Sequence, residues 1–148
     1  MKKEHNTDDI HVVTARESVR LRPQHYFDTC FDEKKLDSLV FESLCHAFDE
    51  YYDGKCDQIS LTIWKDAFKV RYNAGMPLGE AKAHRLPFPV EIMTQIFACS
   101  NLKKHLSVGE EYCHIGVSQI NFGSESIELT TVSENKKGVF TFKQGEHE

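Results

Sequence analysis

At 148 residues, with 40% hydrophobic and 28% charged side chains, the chain has an ordinary globular composition and enough length for one domain with its own core, which excludes a wholly disordered or collagen-like protein. A net charge of −5, with basic residues in short pairs such as Lys34-Lys35, Lys103-Lys104 and Lys136-Lys137, provides no phosphate-tracking stripe, so direct DNA binding is not expected. No apolar run reaches the roughly 18 residues of a membrane span, and the first residues lack an apolar signal segment; a cytoplasmic protein without membrane contact is expected. The five cysteines (Cys30, Cys45, Cys56, Cys99, Cys113) are an odd number without a C-x-x-C pair, and none of the eight histidines sits in an H-E-x-x-H pattern. Reduced thiols and no metal site are the expectation.

Residues 1–9 are polar and are expected to form a flexible arm, with a single domain over 10–148 whose last residues, Gln144 to Glu148, fray. Leu36, Leu39, Val40, Leu44, Ala47, Phe48 and Tyr51 recur with helical spacing, predicting a core-facing helix over 34–52 with Asp32 as a candidate cap. At about 100° per residue, Glu42, His46 and Asp49 cluster on the side away from that stripe. Alternation in Ile59, Leu61, Ile63 and in Phe68, Val70, Tyr72 predicts two strands joined at Lys65-Asp66-Ala67. An irregular loop follows at Asn73 to Gly79, and Leu86-Pro87-Phe88-Pro89 marks another break. Val90, Met93, Ile96 and Phe97 suit a short helix. The segment 112–122 fits neither period. Ile127 with Leu129, and Val139 to Phe142, close the chain as strands.

These segments contain a collinear series of motifs. Val19-Arg20-Leu21-Arg22-Pro23-Gln24-His25-Tyr26 is followed by Leu39-Val40-Phe41-Glu42, Phe48-Asp49-Glu50 and Gly54-Lys55-Cys56-Asp57-Gln58-Ile59. Val90-Glu91-Ile92-Met93-Thr94, Ile115-Gly116-Val117-Ser118 and Ile127-Glu128-Leu129 come later. The series resembles the ATP-binding domain of type II topoisomerases, especially DNA gyrase B, within the gyrase, Hsp90, histidine kinase and MutL ATPases. The resemblance implies an α+β fold, a two-layer sandwich of the Bergerat type with a mixed sheet covered by helices on one face. It also implies a helix at 112–122, and a nucleotide pocket between helix 34–52 and the loops at 72–79 and 107–116.

The resemblance assigns Glu42 as the general base that orients water. It places His46 where the family has an asparagine that ligates Mg²⁺, and imidazole is a poor ligand for that hard ion. Asp49, Asn73, Gly75, Met76, Pro77 and Gly116 fall at other pocket positions. Tyr72 replaces the aspartate that binds the adenine amino group, a charge-assisted bond worth roughly 1.5–3 kcal/mol, and its ring is expected to occupy part of the adenine space. Of the glycine-rich phosphate loop only Gly116 remains, and Glu110 and Glu111 place negative charge beside it. No counterpart of the family's later threonine strand, or of its transducer domain with the catalytic lysine, is expected.

Each residue also has a plainer reading: Glu42 as a solvated helix residue, Asp49 and Glu50 as surface or ion-pairing groups, His46 and His114 as packing residues. The expectation is a pseudo-ATPase with no cofactor that acts as a protein-binding or regulatory module, as a homodimer or with a gyrase-like partner. The alternative is a small ATPase that uses Mg-ATP with Glu42 as its general base.

Overall fold

The computed structural model describes residues 10–96 and 115–148. The N-terminal arm 1–9, Cys99, Glu110, Glu111, Cys113, His114 and most of the 107–116 loop lie outside them. In chain order the elements are α1 (Ala15–Leu21), α2 (Pro23–Tyr26), α3 (Asp28–Glu33), α4 (Asp37–Ser43), α5 (Cys45–Tyr52), β1 (Ile59–Ile63), β2 (Phe68–Tyr72), α6 (Phe88–Thr94), α7 (Val117–Gly123), β3 (Ser126–Ser133), β4 (Lys136–Lys143) and β5 (Glu146–His147).

Helix α1 starts from a capping box in which the Thr14 hydroxyl accepts from the Glu17 N–H while the Glu17 carboxylate accepts from the Thr14 N–H at 2.7 Å. Arg16 and Arg20, one turn apart, donate to the Gln144 and Phe122 carbonyls at 2.7 and 2.9 Å. They tie the opening helix to the far end of the chain. Between them Val19 is buried with Phe27 and Phe122 in one apolar cluster.

The helix expected over 34–52 is two helices. Leu44 ends α4 with a short N–H to Phe41 carbonyl bond at 3.0 Å, and its own carbonyl starts α5 by accepting from Phe48. Asp32 does not cap it, because it lies inside α3, which ends where Lys34 takes the left-handed conformation (φ 54°). Val40 and Ala47 enter the core as expected, but Leu36 and Tyr51 are exposed.

β1 and β2 pair antiparallel from Ile59↔Tyr72 to Ile63↔Phe68, and the Trp64 N–H closes the predicted turn on the Ala67 carbonyl at 2.8 Å. β3 pairs antiparallel with β4 across Glu134-Asn135, both at positive φ, which gives a two-residue turn whose twist suits a hairpin. The end expected to fray instead forms β5. Gln144 and Gly145 repeat the left-handed turn, and Glu146 pairs with Lys143 and with the Arg16 guanidinium at 3.1 Å.

One face of β3 and β4 is exposed; from the other, Phe142 packs with Val90 of α6 and Met93, and α7 lies beside α6. The α+β sandwich is therefore present, with α6 and α7 on one side of the sheet. Among the described residues every ladder is antiparallel, and the strands fall into two sheets, so the parallel pairing that a mixed sheet requires is not found there.

The two sheets meet at the loop after β2. The Thr131 hydroxyl accepts from the Met76 N–H at 2.8 Å and reaches the Met76 carbonyl at 3.3 Å, and both residues are buried. Gly75 is required beside them, since a Cβ there would lie 1.9 Å from the Val132 carbonyl oxygen. Gly75→Ala should therefore cost about 1–3 kcal/mol through overpacking against rigid backbone. Gly79→Ala, where a Cβ meets nothing within 4 Å, should be close to neutral; urea midpoints of the two variants check the contrast.

Candidate functional site

Helices α4 and α5 carry acidic residues into the protein. Glu42, Asp49 and Glu50 are 5, 5 and 8% exposed, so Glu42 is not a solvated residue and Asp49 and Glu50 are not surface groups, while the ion-pairing reading fits Glu50, which lies 3.7 Å from the Lys55 ammonium. A helical wheel places these residues together but does not say which neighbour faces them. The Glu42 carboxylate accepts from the Ile115 backbone N–H at 3.0 Å, just before Gly116 leads into α7. This joins the candidate base to the turn where the resemblance puts the phosphates.

One turn after Glu42, His46 faces the end of β2. Its Nδ1 lies 2.9 Å from the Tyr72 hydroxyl, with the rings 5.5 Å apart. Its Nε2 is 3.7 Å from Glu50, whose other oxygen is 3.7 Å from the Lys55 ammonium. Burial lowers the His46 pKa below 6.5, against the opposing pull of the Glu50 and Asp49 carboxylates. The ring is therefore neutral near pH 7, and a proton on Nε2 suits both neighbours: Nδ1 accepts from the tyrosine and Nε2 faces Glu50. Burial, with Glu50 nearby, raises the Tyr72 pKa and keeps its hydroxyl a donor. Tyr72 thus turns inward, toward α5.

The remaining predicted positions serve the backbone. The Asn73 amide oxygen accepts from the Asp57 and Gln58 N–H groups at 3.0 and 3.1 Å, and its nitrogen donates to the Asp57 carboxylate at 2.6 Å. This closes the hairpin base directly after Tyr72. Gly75 and Met76 form the joint with β3, and Pro77 is exposed. Gly116 caps α7 at φ 85°.

The structure therefore brings His46 and Tyr72 together with Glu50 and near Asp49, gives Glu42 to the turn before α7, and gives Asn73, Gly75 and Met76 to the loop. Sequence reasoning missed Lys55, Ile115 and Thr131 as partners; the lysine lies five residues beyond Glu50, but the other two contacts leave no local signal. Cys30 and Cys56 are free thiols as expected, while Cys45 is disulfide-bonded, which corrects the expectation that every thiol is reduced. Among the described residues, no group of three or more His, Cys, Asp or Glu is placed to hold a metal ion, and no helix is long and apolar enough to cross a membrane.

This arrangement of helices over antiparallel strands is the fold of a topoisomerase ATP-binding domain. The solved topoisomerase IV ATP-binding domain of Francisella tularensis, in complex with a small-molecule inhibitor, shares this fold at a TM-score of 0.70 and 21% identity, over 92% of this chain and 62% of that one. The chain is 30% identical to the DNA gyrase B protein of Rickettsia typhi over 144 residues, which is 95% of the chain and 18% of that protein. It is also 30% identical to the DNA topoisomerase 4 B protein of Staphylococcus aureus, over 98% of the chain and 22% of that protein. No protein-family model matches. The chain is homologous to the ATP-binding domain of the B proteins of type II topoisomerases and spans about a fifth of the length of these curated relatives.

Two measurements test the site. Tyr72→Phe removes the donor to His46 and should lower stability by about 0.5–1.5 kcal/mol in urea unfolding. Because the folded pKa of His46 lies below the unfolded value, its contribution is complete above about pH 6.5 and is lost as the pH falls through the folded pKa. The stability of His46→Asn should accordingly fall less steeply than that of the parent between pH 7 and pH 5.

Proposed function

We propose that the chain is a degenerate gyrase-B-like domain that neither binds nor hydrolyses ATP and acts as a protein-binding or regulatory module. The observation that carries this reading is the pairing of Tyr72 with His46, two residues at positions assigned to the nucleotide and its metal ion, through a 2.9 Å contact that commits each to the other. An oxygen donor for Mg²⁺ is replaced by an imidazole whose Nδ1 is already occupied. An acceptor for a base amino group is replaced by a phenol that donates to that imidazole. The Glu42 carboxylate is engaged as well, by the Ile115 N–H.

The residues present therefore do not fit Mg-ATP. They do fit a scaffold, because His46 and Tyr72, two positions that depart from the family, satisfy each other within the chain. Two classes of partner suit this reading, a second copy of the chain or a gyrase-like protein, and the similarity to the topoisomerase B proteins supports the latter.

Calorimetric titration with Mg-ATP, Mg-GTP and a non-hydrolysable ATP analogue tests the reading. The expected result is no saturable binding tighter than about 100 µM, a free energy of about 5 kcal/mol. Glu42→Gln keeps an acceptor for the Ile115 N–H while removing the base. Saturable binding in the parent, with turnover that this variant abolishes, would instead establish a small ATPase.

A further inference from the structure

All five residues of β1 are exposed, and the apolar ones substantially so: Ile59, Leu61 and Ile63 at 40, 42 and 61%. Among the described residues its ladder partner is β2 alone. The bonds from Asn73 N–H to the Gln58 carbonyl and from Trp64 N–H to the Ala67 carbonyl fix which backbone groups face inward. Gln58, Ser60, Thr62 and Trp64 point theirs at β2, so Ile59, Leu61 and Ile63 point theirs at the open edge. Among the described residues these outward groups have no backbone partner. Edge strands are normally protected by lysine, proline or a bulge. β1 carries neither residue, and its register with β2 is unbroken.

The strand also has the same pattern in both directions, Ile-Ser-Leu-Thr-Ile. Antiparallel pairing with a second copy about a two-fold axis at Leu61 sets Leu61 against its own counterpart and Ile59 against the second copy's Ile63. Each of these pairs joins residues whose backbone groups point outward, so each exchanges both of its hydrogen bonds, while Ser60 and the second copy's Thr62 form the non-bonded pairs between them. In the same register Lys65 lies opposite the second copy's Asp57, twice by symmetry, and both residues are exposed. Sliding by two residues would put Ile63 opposite Asp57 or Ile59 opposite Lys65, so apolar matching and charge complementarity select one register.

We propose that β1 is a self-association edge through which two copies form a continuous four-stranded sheet centred on Leu61. The proposal does not depend on whether the α4–α5 face binds a nucleotide. A five-residue strand pair is smaller than a standard interface of about 1,200–2,000 Å², so the dimer should be reversible and concentration-dependent.

Sedimentation velocity of the full chain from about 10 µM to about 1 mM should show a monomer converting to a dimer. Leu61→Lys, which sets two like charges face to face at the axis, should remain monomeric throughout. Under oxidising conditions Leu61→Cys should form a covalent dimer beyond the parent's background, because facing residues in a bonded pair lie about 5.5 Å apart, within disulfide reach. Ser60→Cys, offset from its counterpart and on the opposite face, should not. A parent that stays monomeric, a dimer that Leu61→Lys leaves intact, or equal crosslinking at positions 60 and 61 would each overturn the proposal.

Discussion

The structure depends on the removal of a row of carboxylates and one imidazole from water along α4 and α5. A buried charge or polar group without a partner costs several kcal/mol, so each of these groups requires a donor or acceptor from elsewhere in the chain. Glu42 obtains one from the Ile115 N–H, Glu50 faces Lys55 and His46, and His46 meets Tyr72. These contacts join the helices to the β1–β2 hairpin and to the start of α7. The network that defines the candidate site is thus also what assembles the layers, and a ligand entering it would have to replace bonds the fold already uses.

The placement of Tyr72 follows from backbone constraints on either side. Before it, five cross-strand pairs hold β2 against β1; after it, Asn73 staples the hairpin base and Gly75 fits against the Val132 carbonyl. A strand end held at both sides leaves the tyrosine little freedom to turn out. Its ring therefore stays beside His46, and burial reinforces the pair by keeping the phenol protonated and the imidazole neutral. Geometry and protonation thus favour the same arrangement.

Much of this fold was legible in the sequence where the signal was local. Period-two alternation located β1 to β4, and helical spacing located α4, α5 and α6. The substitutions of Tyr72 and His46 were visible as departures from a family pattern, but their contact was not, because it joins residues 26 apart in sequence. The burial of Glu42, Asp49 and Glu50 was hidden for a different reason. Periodicity groups residues by direction, whereas burial depends on which element lies in that direction. The terminal strand was missed because Gln144 takes a left-handed conformation that glycine adopts more readily, and its pairing is secured by Arg16, far away in sequence.

The hairpin links the two surfaces that matter most. Ile59, whose outward backbone groups would pair in a dimer, is the cross-strand partner of Tyr72. One edge of the two-stranded sheet thus bears on self-association, and the other strand ends in the contact with His46. A hairpin ordered by strand addition would hold Tyr72 more firmly against α5, and by thermodynamic reciprocity a hairpin ordered through Tyr72 would present a better-formed β1 edge.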